Sequence, residues 1–250
     1  MYVVDTDPIG RTAGQYARAT VRRLSLRTLV TLGVLAVATA LLGRTLGLHS
    51  ALFLASEVAL LVSMFVISRY VLPLLERRDR GASGEEQVGG LLDHMADGGW
   101  HVIHDASLGR GNVDHILIGP SGIFTIETKS SPGPVRVARV HGETLRQAQA
   151  QRRAIERVTG LDVEPLVVYS DAWVDRPLAR RKGVRVVPAR MLVRYLGKLH
   201  TRLSDEQVER ARELVAQALL EHHAHERQAG GRRHRARPRR LPAPRGRGGR

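Results

Sequence analysis

The sequence predicts an α/β protein in which two apolar helices precede a mixed sheet with helices packed on it. Three observations support this fold class. Two apolar runs, 28–48 and 51–72, lie close together near the N-terminus. Helical and strand patterns then alternate over 84–200 in the order αβββαβ, with a further strand and further helices after it. The C-terminal residues 227–250 are rich in arginine and have no hydrophobic pattern.

Composition limits the chemistry and the meaning of the charge. The chain of 250 residues has no cysteine, which excludes disulfides, thiolate metal sites and cysteine nucleophiles. Its formal charge is +15, but ten arginines and no acidic residue lie between Arg227 and the C-terminus. Most of the excess positive charge therefore belongs to this segment, and the charge of the whole chain is no evidence for a nucleic-acid-binding domain.

The two apolar runs predict a transmembrane hairpin, because with its flanks each reaches the roughly 20 residues that a helix needs to cross a bilayer. Arginines cluster before the first run and after the second, so the positive-inside rule places both ends of the chain in the cytoplasm. The prediction is a multi-pass protein of the cell membrane. Residues 1–27 form a cytoplasmic polar N-terminus, 28–75 the hairpin and 76–83 a short charged linker.

The apolar runs are also compatible with two arrangements that do not span a membrane twice. A cleaved signal peptide would account for the first run, because "AVATA" resembles a small-residue cleavage site, and a buried helix pair in a soluble protein would account for both. The long polar lead-in and the closely following second run favour the hairpin. Glu57 lies within the second run, where pairing with Arg44 or a protonated state between the helices is favoured over a transport role.

The domain predicted for 84–226 begins with the helix "GEEQVGGLLDHMAD". The predicted strands that follow are 100–106, "NVDHILIG", "GIFTIETK" and "GPVRVARVH". Next come the helix "ETLRQAQAQRRAIERV" and the strands "VEPLVVYS" and "GVRVVP". The last helices are "ARMLVRYLGKL" and "SDEQVERARELVAQALL", and the second opens with a capping box formed by Ser204 and Gln207.

The second and third strands carry ionisable residues that their apolar character does not explain. A two-residue turn at "PS" places Asp114 directly opposite Glu127, with the two side chains on one face. The period of two along a strand puts Lys129 on that face as well. The three side chains therefore converge at one end of the sheet. His115 points to the opposite face, where a buried, hydrogen-bonded role is favoured over metal ligation.

Two carboxylates this close require a positive charge between them. A divalent cation, Mg²⁺ or Mn²⁺, suits oxygen ligands from Asp114, Glu127 and the backbone carbonyl of Thr128. Lys129 would then orient or deprotonate a metal-bound water, or neutralise charge in the transition state. These parts suit phosphodiester hydrolysis. The structural alternative is a cross-strand salt bridge between Lys129 and one of the carboxylates.

At these residues the sequence resembles the nuclease-related domain, NERD, of the PD-(D/E)XK nuclease superfamily. The resemblance rests on "GASGEEQVGGLL" and "NVDHILIGPSGIFTIETK" and covers about 80–170. It implies a restriction-endonuclease-like αβββαβ core. It also implies a set of catalytic residues, namely Asp114, Glu127, Lys129 and Glu85. A supporting glutamine on the helix after the sheet would be Gln147 or Gln151. Ser130 and Ser131 depart from the family pattern, which has Asn and an aromatic residue there.

The predicted function is that of a membrane-anchored, metal-dependent nuclease that hydrolyses DNA in preference to RNA. The alternative is a catalytically inactive membrane module that binds nucleic acid or a protein partner. A small transporter with a soluble appendage is disfavoured. The disordered tail predicted for 227–250 would contact nucleic acid or anionic lipid. The arginines predicted to make these contacts are Arg232, Arg233, Arg235, Arg237, Arg239 and Arg240.

Overall fold

A computed structural model describes residues 15–46, 51–108 and 111–235. The helices are α1 (Gln15–Leu46), α2 (Ala51–Val66), α3 (Leu72–Asp93), α4 (Gly142–Thr159), α5 (Ala189–Leu196) and α6 (Asp205–Arg235). The strands are β1 (His101–Ser107), β2 (Asn112–Gly119), β3 (Gly122–Lys129), β4 (Val163–Tyr169), β5 (Arg180–Arg181) and β6 (Val184–Pro188). A π-helical turn (Ile67–Val71) joins α2 to α3, and short 3₁₀ turns lie at Ala96–Gly98 and Val137–Arg139.

The strands form one mixed sheet in the order β1-β2-β3-β4-β6-β5. The first three strands are an antiparallel meander, and β4 and β6 continue the sheet in parallel. The predicted α/β class and αβββαβ order are confirmed. The β2–β3 register is also the predicted one, because Gly119 pairs with Gly122 and His115 pairs with Ile126. Gly122 has a φ of 130°, which allows the two-residue turn before it.

Helices cover both faces of the sheet. On one face, α3 and α5 pack against a cluster that includes Leu117 and Phe124. On the other face, α4 and α6 pack against Ile116, Ile118 and their neighbours. Side chains on both sides of β2 are therefore fully buried, which explains its nearly continuous apolar sequence. Burial of each such side chain contributes about 1.5–3 kcal/mol, so this hairpin is the centre of the fold.

Two helical segments, Val21–Thr45 and Ala51–Gly98, are long and apolar enough to cross a membrane. Their apolar side chains are mostly exposed, and Leu29 and Phe65 are 67% and 66% exposed. Exposure of such apolar surface to water is unfavourable, and surfaces of this kind suit a lipid environment. The helices therefore match the apolar part of the predicted hairpin.

Residues 76–83 are helical, whereas the sequence predicts a linker there. The helical backbone runs without a break from Ala51 to Asp93, because the π-helical turn joins α2 and α3. Glutamate and arginine in "ERRDRGAS" are strong helix formers, and charge alone does not end a helix. Pro73 lacks the amide that a regular helix would use, and the π-helical turn lies directly before it.

The predicted strand "GPVRVARVH" is wrong. The segment contains a 3₁₀ turn and a single bridge between Val135 and Val174. Its apolar residues alternate because Val135, Val137 and Val140 are buried beside the sheet, not because they belong to it. Pro132 and Pro134 come just before Val135 and cannot donate backbone hydrogen bonds to a ladder. The edge of β3 pairs with β4 instead.

The last helix agrees with the sequence at its start and differs at its end. The amide of Ser204 donates to Gln207 Oε1 at 2.9 Å and the amide of Gln207 donates to Ser204 Oγ at 3.3 Å, so the predicted capping box is confirmed. The helix continues to Arg235, whereas the sequence predicts disorder from 227. No proline interrupts the chain before Pro238, and a helix that is packed at its start can extend without an apolar face. Residues 236–250, with three of the predicted contact arginines, lie outside the described residues.

Candidate active site

The predicted patch forms where β2 begins and β3 ends. Glu127 is 2% exposed, and its Oε1 accepts a hydrogen bond from Lys129 Nζ at 2.5 Å. Asp114 Oδ2 accepts a hydrogen bond from the backbone amide of Thr128 at 2.7 Å. The structure thus brings together the side chains of Asp114, Glu127 and Lys129 with the backbone of Thr128.

Both candidate glutamines reach the same carboxylate. Gln147 Nε2 and Gln151 Nε2 donate to Glu127 Oε2 at 2.7 and 2.6 Å. They are four residues apart on α4 and so lie on one face of the helix, which explains why the sequence alone did not separate them. Gln151 also donates to the carbonyl of Asn112 at 2.9 Å. Three side-chain donors therefore fix the orientation of Glu127.

Glu85 approaches this end of the sheet from α3. Burial, together with the negative charges of Asp105 and Glu127, raises its pKa to about 7 against the opposing charge of Lys129. The preceding residue permits the close approach of the helix. A Cβ atom on Gly84 would lie 2.7 Å from Ser170 Oγ, so glycine lets α3 pack tightly against the end of β4. Glu85 therefore belongs electrostatically to the carboxylate cluster.

Asp105 on β1 is a fourth carboxylate, and it was not predicted from the sequence. It is 4% exposed, and its Oδ1 accepts a hydrogen bond from Asn112 Nδ2 at 2.9 Å. The β1–β2 register pairs the residues on either side of Asp105 and Asp114, which places these two at the same level. Asp105 has a φ of 49°, so the strand is irregular at this point. From the sequence, Asp105 could have been found only through the β1–β2 register, and the sequence of the loop "LGRG" does not determine that register.

The cluster has more negative charge than its lysine neutralises. Burial raises the pKa of Asp114 well above its usual range, and the charges of Glu127 and Glu85 raise it further, against the Thr128 amide and Lys129. Burial lowers the pKa of Lys129, but the neighbouring carboxylates, Glu127 first, more than offset this and raise it overall. Lys129 is therefore a protonated ammonium at neutral pH. The remaining carboxylates must take up protons or a cation.

The segment that contains this cluster is similar to a known protein family. Residues 80–170 match the family model of the nuclease-related domain. The match covers rather more than a third of the chain and contains all four carboxylates, the lysine and both glutamines. No curated protein matches the sequence.

Two solved structures are similar to the chain, each with 16% sequence identity. One is a repair endonuclease from Pyrococcus abyssi, with a TM-score of 0.28 over 48% of this chain and 47% of that chain. The other is SfsA from Pyrococcus furiosus in complex with Ca²⁺, with a TM-score of 0.23 over 55% of this chain and 53% of that chain. The chain spans about half the length of each of these proteins.

The donor set of this carboxylate cluster suits a hard divalent cation. No group of three or more histidine, aspartate or glutamate side chains within the described ranges forms a ready-made metal-binding cluster. Magnesium, however, is usually held by one or two carboxylates together with water and substrate oxygens. Asp114 and Glu127 supply such oxygens, and Glu127 Oε1 has a second lone pair besides the one used by Lys129. The raised pKa of Asp114 also shows that this site favours added positive charge.

A simple salt bridge, the structural alternative, explains only part of the carboxylate cluster. Lys129 does pair with Glu127, as that alternative predicts. The pair leaves Asp114 and Glu85 with raised pKa values, so one lysine does not balance the site. A purely structural ion pair would not require these additional buried acids.

His115 lies on the opposite face of the sheet from the carboxylate cluster, as predicted. It is fully buried, and its Nδ1 lies 2.8 Å from His104 Nδ1. His104 Nε2 in turn lies 2.9 Å from Asp93 Oδ1 on α3. Burial lowers the pKa of His115 to about 3, so this histidine is neutral. Its role is to connect the sheet to α3.

Proposed function

We propose that the chain is a membrane-anchored, divalent-metal-dependent nuclease that hydrolyses phosphodiester bonds, in DNA before RNA. The observation that carries this proposal is the convergence of four carboxylates and one lysine within a stretch that matches the nuclease-related domain. Such a cluster is unfavourable for stability, because like charges repel and burial removes their solvation. Clusters of this kind are typical of functional sites.

Each residue has a separate task in the proposed reaction. Asp114, Glu127 and the Thr128 carbonyl would hold Mg²⁺ or Mn²⁺, which supplies an acidified water and neutralises phosphate charge when bound. Lys129 donates to phosphoryl oxygens and stabilises their developing negative charge. Gln147 and Gln151 keep Glu127 oriented.

Glu85 is suited to proton transfer. With a pKa of about 7, it is present in both protonation states near neutral pH. It can therefore accept a proton from the attacking water and pass it on. This refines the supporting role that the family resemblance implies for Glu85.

The membrane anchor is the second part of the proposal. The exposed apolar surfaces of α1 and α2 would face lipid, and the flanking arginines would keep both termini in the cytoplasm. The apolar run ends near Leu75, ten residues before Glu85 on a continuous helix, which corresponds to about 15 Å of rise. The active site would thus lie close to the membrane surface. The arginines after Arg227 would contact anionic lipid or nucleic acid.

Removal of metal is expected to abolish cleavage. The full chain in lipid nanodiscs would be incubated with labelled duplex DNA, single-stranded DNA and RNA, in Mg²⁺, in Mn²⁺ or in EDTA. We expect cleavage with either metal, none in EDTA, and recovery when Mg²⁺ is added in excess. Cleavage that persists in EDTA would contradict the metal requirement. A folded chain that cuts none of the polymers would instead be the inactive binding module.

A further inference from the structure

A groove of about 510 Å³ opens beside Lys129. Ser130 and Ser131 line it after β3, and Arg136, Arg139 and His141 line it before α4. No aspartate or glutamate is among its lining residues, although the carboxylate cluster lies directly behind Lys129. The groove therefore presents hydroxyl groups and positive charge, which suits a phosphate-bearing ligand.

Two arginines of the groove are available to a ligand. Arg136 and Arg139 are exposed, and neither takes part in a salt bridge within the described part of the chain. The turn that carries them is held in place, because Asp175 Oδ1 accepts the backbone amide of Val137 at 2.9 Å. Arginine presents a planar fork of donors that matches phosphate oxygens. Two such groups on a fixed turn beside Lys129 can follow a phosphodiester backbone.

An exposed tryptophan, Trp173, lies beside a residue that lines the same groove. The amide of Val135 donates to the carbonyl of Trp173 at 2.7 Å, and Val135 forms a parallel bridge with Val174. This register sets Trp173 beside Pro134, which lines the groove. Trp173 is 56% exposed, and it is the one large aromatic side chain with this exposure in the described chain after α3. An indole face left open in this way can stack on a nucleobase.

We propose that this groove binds a single-stranded segment of nucleic acid next to the cleaved phosphodiester. Arg136 and Arg139 contact its phosphates, and Trp173 stacks on a base. A base inside a duplex is already stacked on its neighbours, so the exposed indole selects an unpaired segment. The inference rests on the proposed function, because it assumes that the polymer cut at Lys129 continues into the groove.

The test measures binding without cleavage. The full chain in nanodiscs of neutral lipid would be titrated, in EDTA, against fluorescent single-stranded DNA, the matching duplex and single-stranded RNA. Trp173→Ala is expected to weaken single-strand binding about tenfold with little effect on the duplex, and Trp173→Phe to retain most of it. Arg136→Gln with Arg139→Gln is expected to reduce the slope of log affinity against log salt by roughly 1.4.

The matched control is Arg153→Gln with Arg157→Gln, which removes two exposed arginines from α4 outside the groove. The arginine-rich C-terminal segment is present in every variant, so differences between variants report the groove. Single-strand affinity that is unchanged in the groove variants, or equally reduced in the control, would overturn the proposal. Binding that depends on the groove without cleavage in Mg²⁺ would support the groove and contradict the proposed hydrolysis.

Discussion

Replacing Lys129 with alanine is expected to lower the rate of phosphodiester cleavage by about 10²–10³-fold. The Lys129 ammonium is held at 2.5 Å by Glu127, and the surrounding carboxylates keep it protonated. In the proposed reaction it is therefore a preorganised positive charge at the place where negative charge develops. The measurement is the single-turnover rate at saturating Mg²⁺, which separates chemistry from binding.

Lys198→Ala is the matched control, because Lys198 is an exposed lysine far along the chain from the site. It should cleave at the wild-type rate. Lys129→Arg retains the charge but not the compact ammonium and should recover only part of the activity. Full activity of folded Lys129→Ala would show that this lysine only balances the charge of Glu127.

Asp114→Asn is expected to stabilise the metal-free protein while it abolishes cleavage. The pKa of Asp114 is raised in the folded chain, so the folded state binds more protons than the unfolded state and loses stability as the pH rises. Glu85, with a pKa of about 7, acts in the same direction between about pH 4.5 and 7. Asparagine removes the charge of Asp114 and can still accept the Thr128 amide. The melting temperature of the variant should exceed that of the wild type by a few degrees at pH 8, and by less at pH 5.

Saturating Mg²⁺ should reverse this order, because a ligand that binds only the folded wild type raises its melting temperature. Asp162→Asn, at an exposed position, is the control and should follow the wild type under each condition. The measurement is a thermal melt at pH 5 and pH 8, with and without metal. A difference between wild type and Asp114→Asn that is the same in all four conditions would contradict the crowding of charges at this site.

The β2–β3 hairpin could be predicted from sequence because its information is local. Strict apolar strands and a two-residue turn leave one register, and that register places Asp114 opposite Glu127. Asp105 was missed because its strand is irregular at this residue, and the period of two along a strand does not predict such a break. Gln147 and Gln151 could not be separated because both lie on the same helical face and contact the same oxygen.

Several features of the fold depended on tertiary contacts. The alternation in "GPVRVARVH" reflects burial beside the sheet, which sequence periodicity does not distinguish from a strand. The position of Trp173 beside Pro134 depends on a bridge between segments nearly forty residues apart. The charged residues before Glu85 have the composition of a linker, yet they continue the helix. Arg18 on α1 forms a bidentate ion pair with Glu86, which joins the two long helices next to the site.

The most direct test of the carboxylate cluster is the binding of Mn²⁺ and Mg²⁺, measured by titration calorimetry in two buffers with different ionisation heats. We predict binding near Asp114 and Glu127 that releases protons at pH 7, because a dication lowers the raised pKa values of Asp114 and Glu85. Binding and proton release should both disappear in Asp114→Asn and persist in Asp162→Asn. Metal binding of equal strength in wild type and Asp114→Asn, or no binding to either, would contradict a metal-dependent nuclease site.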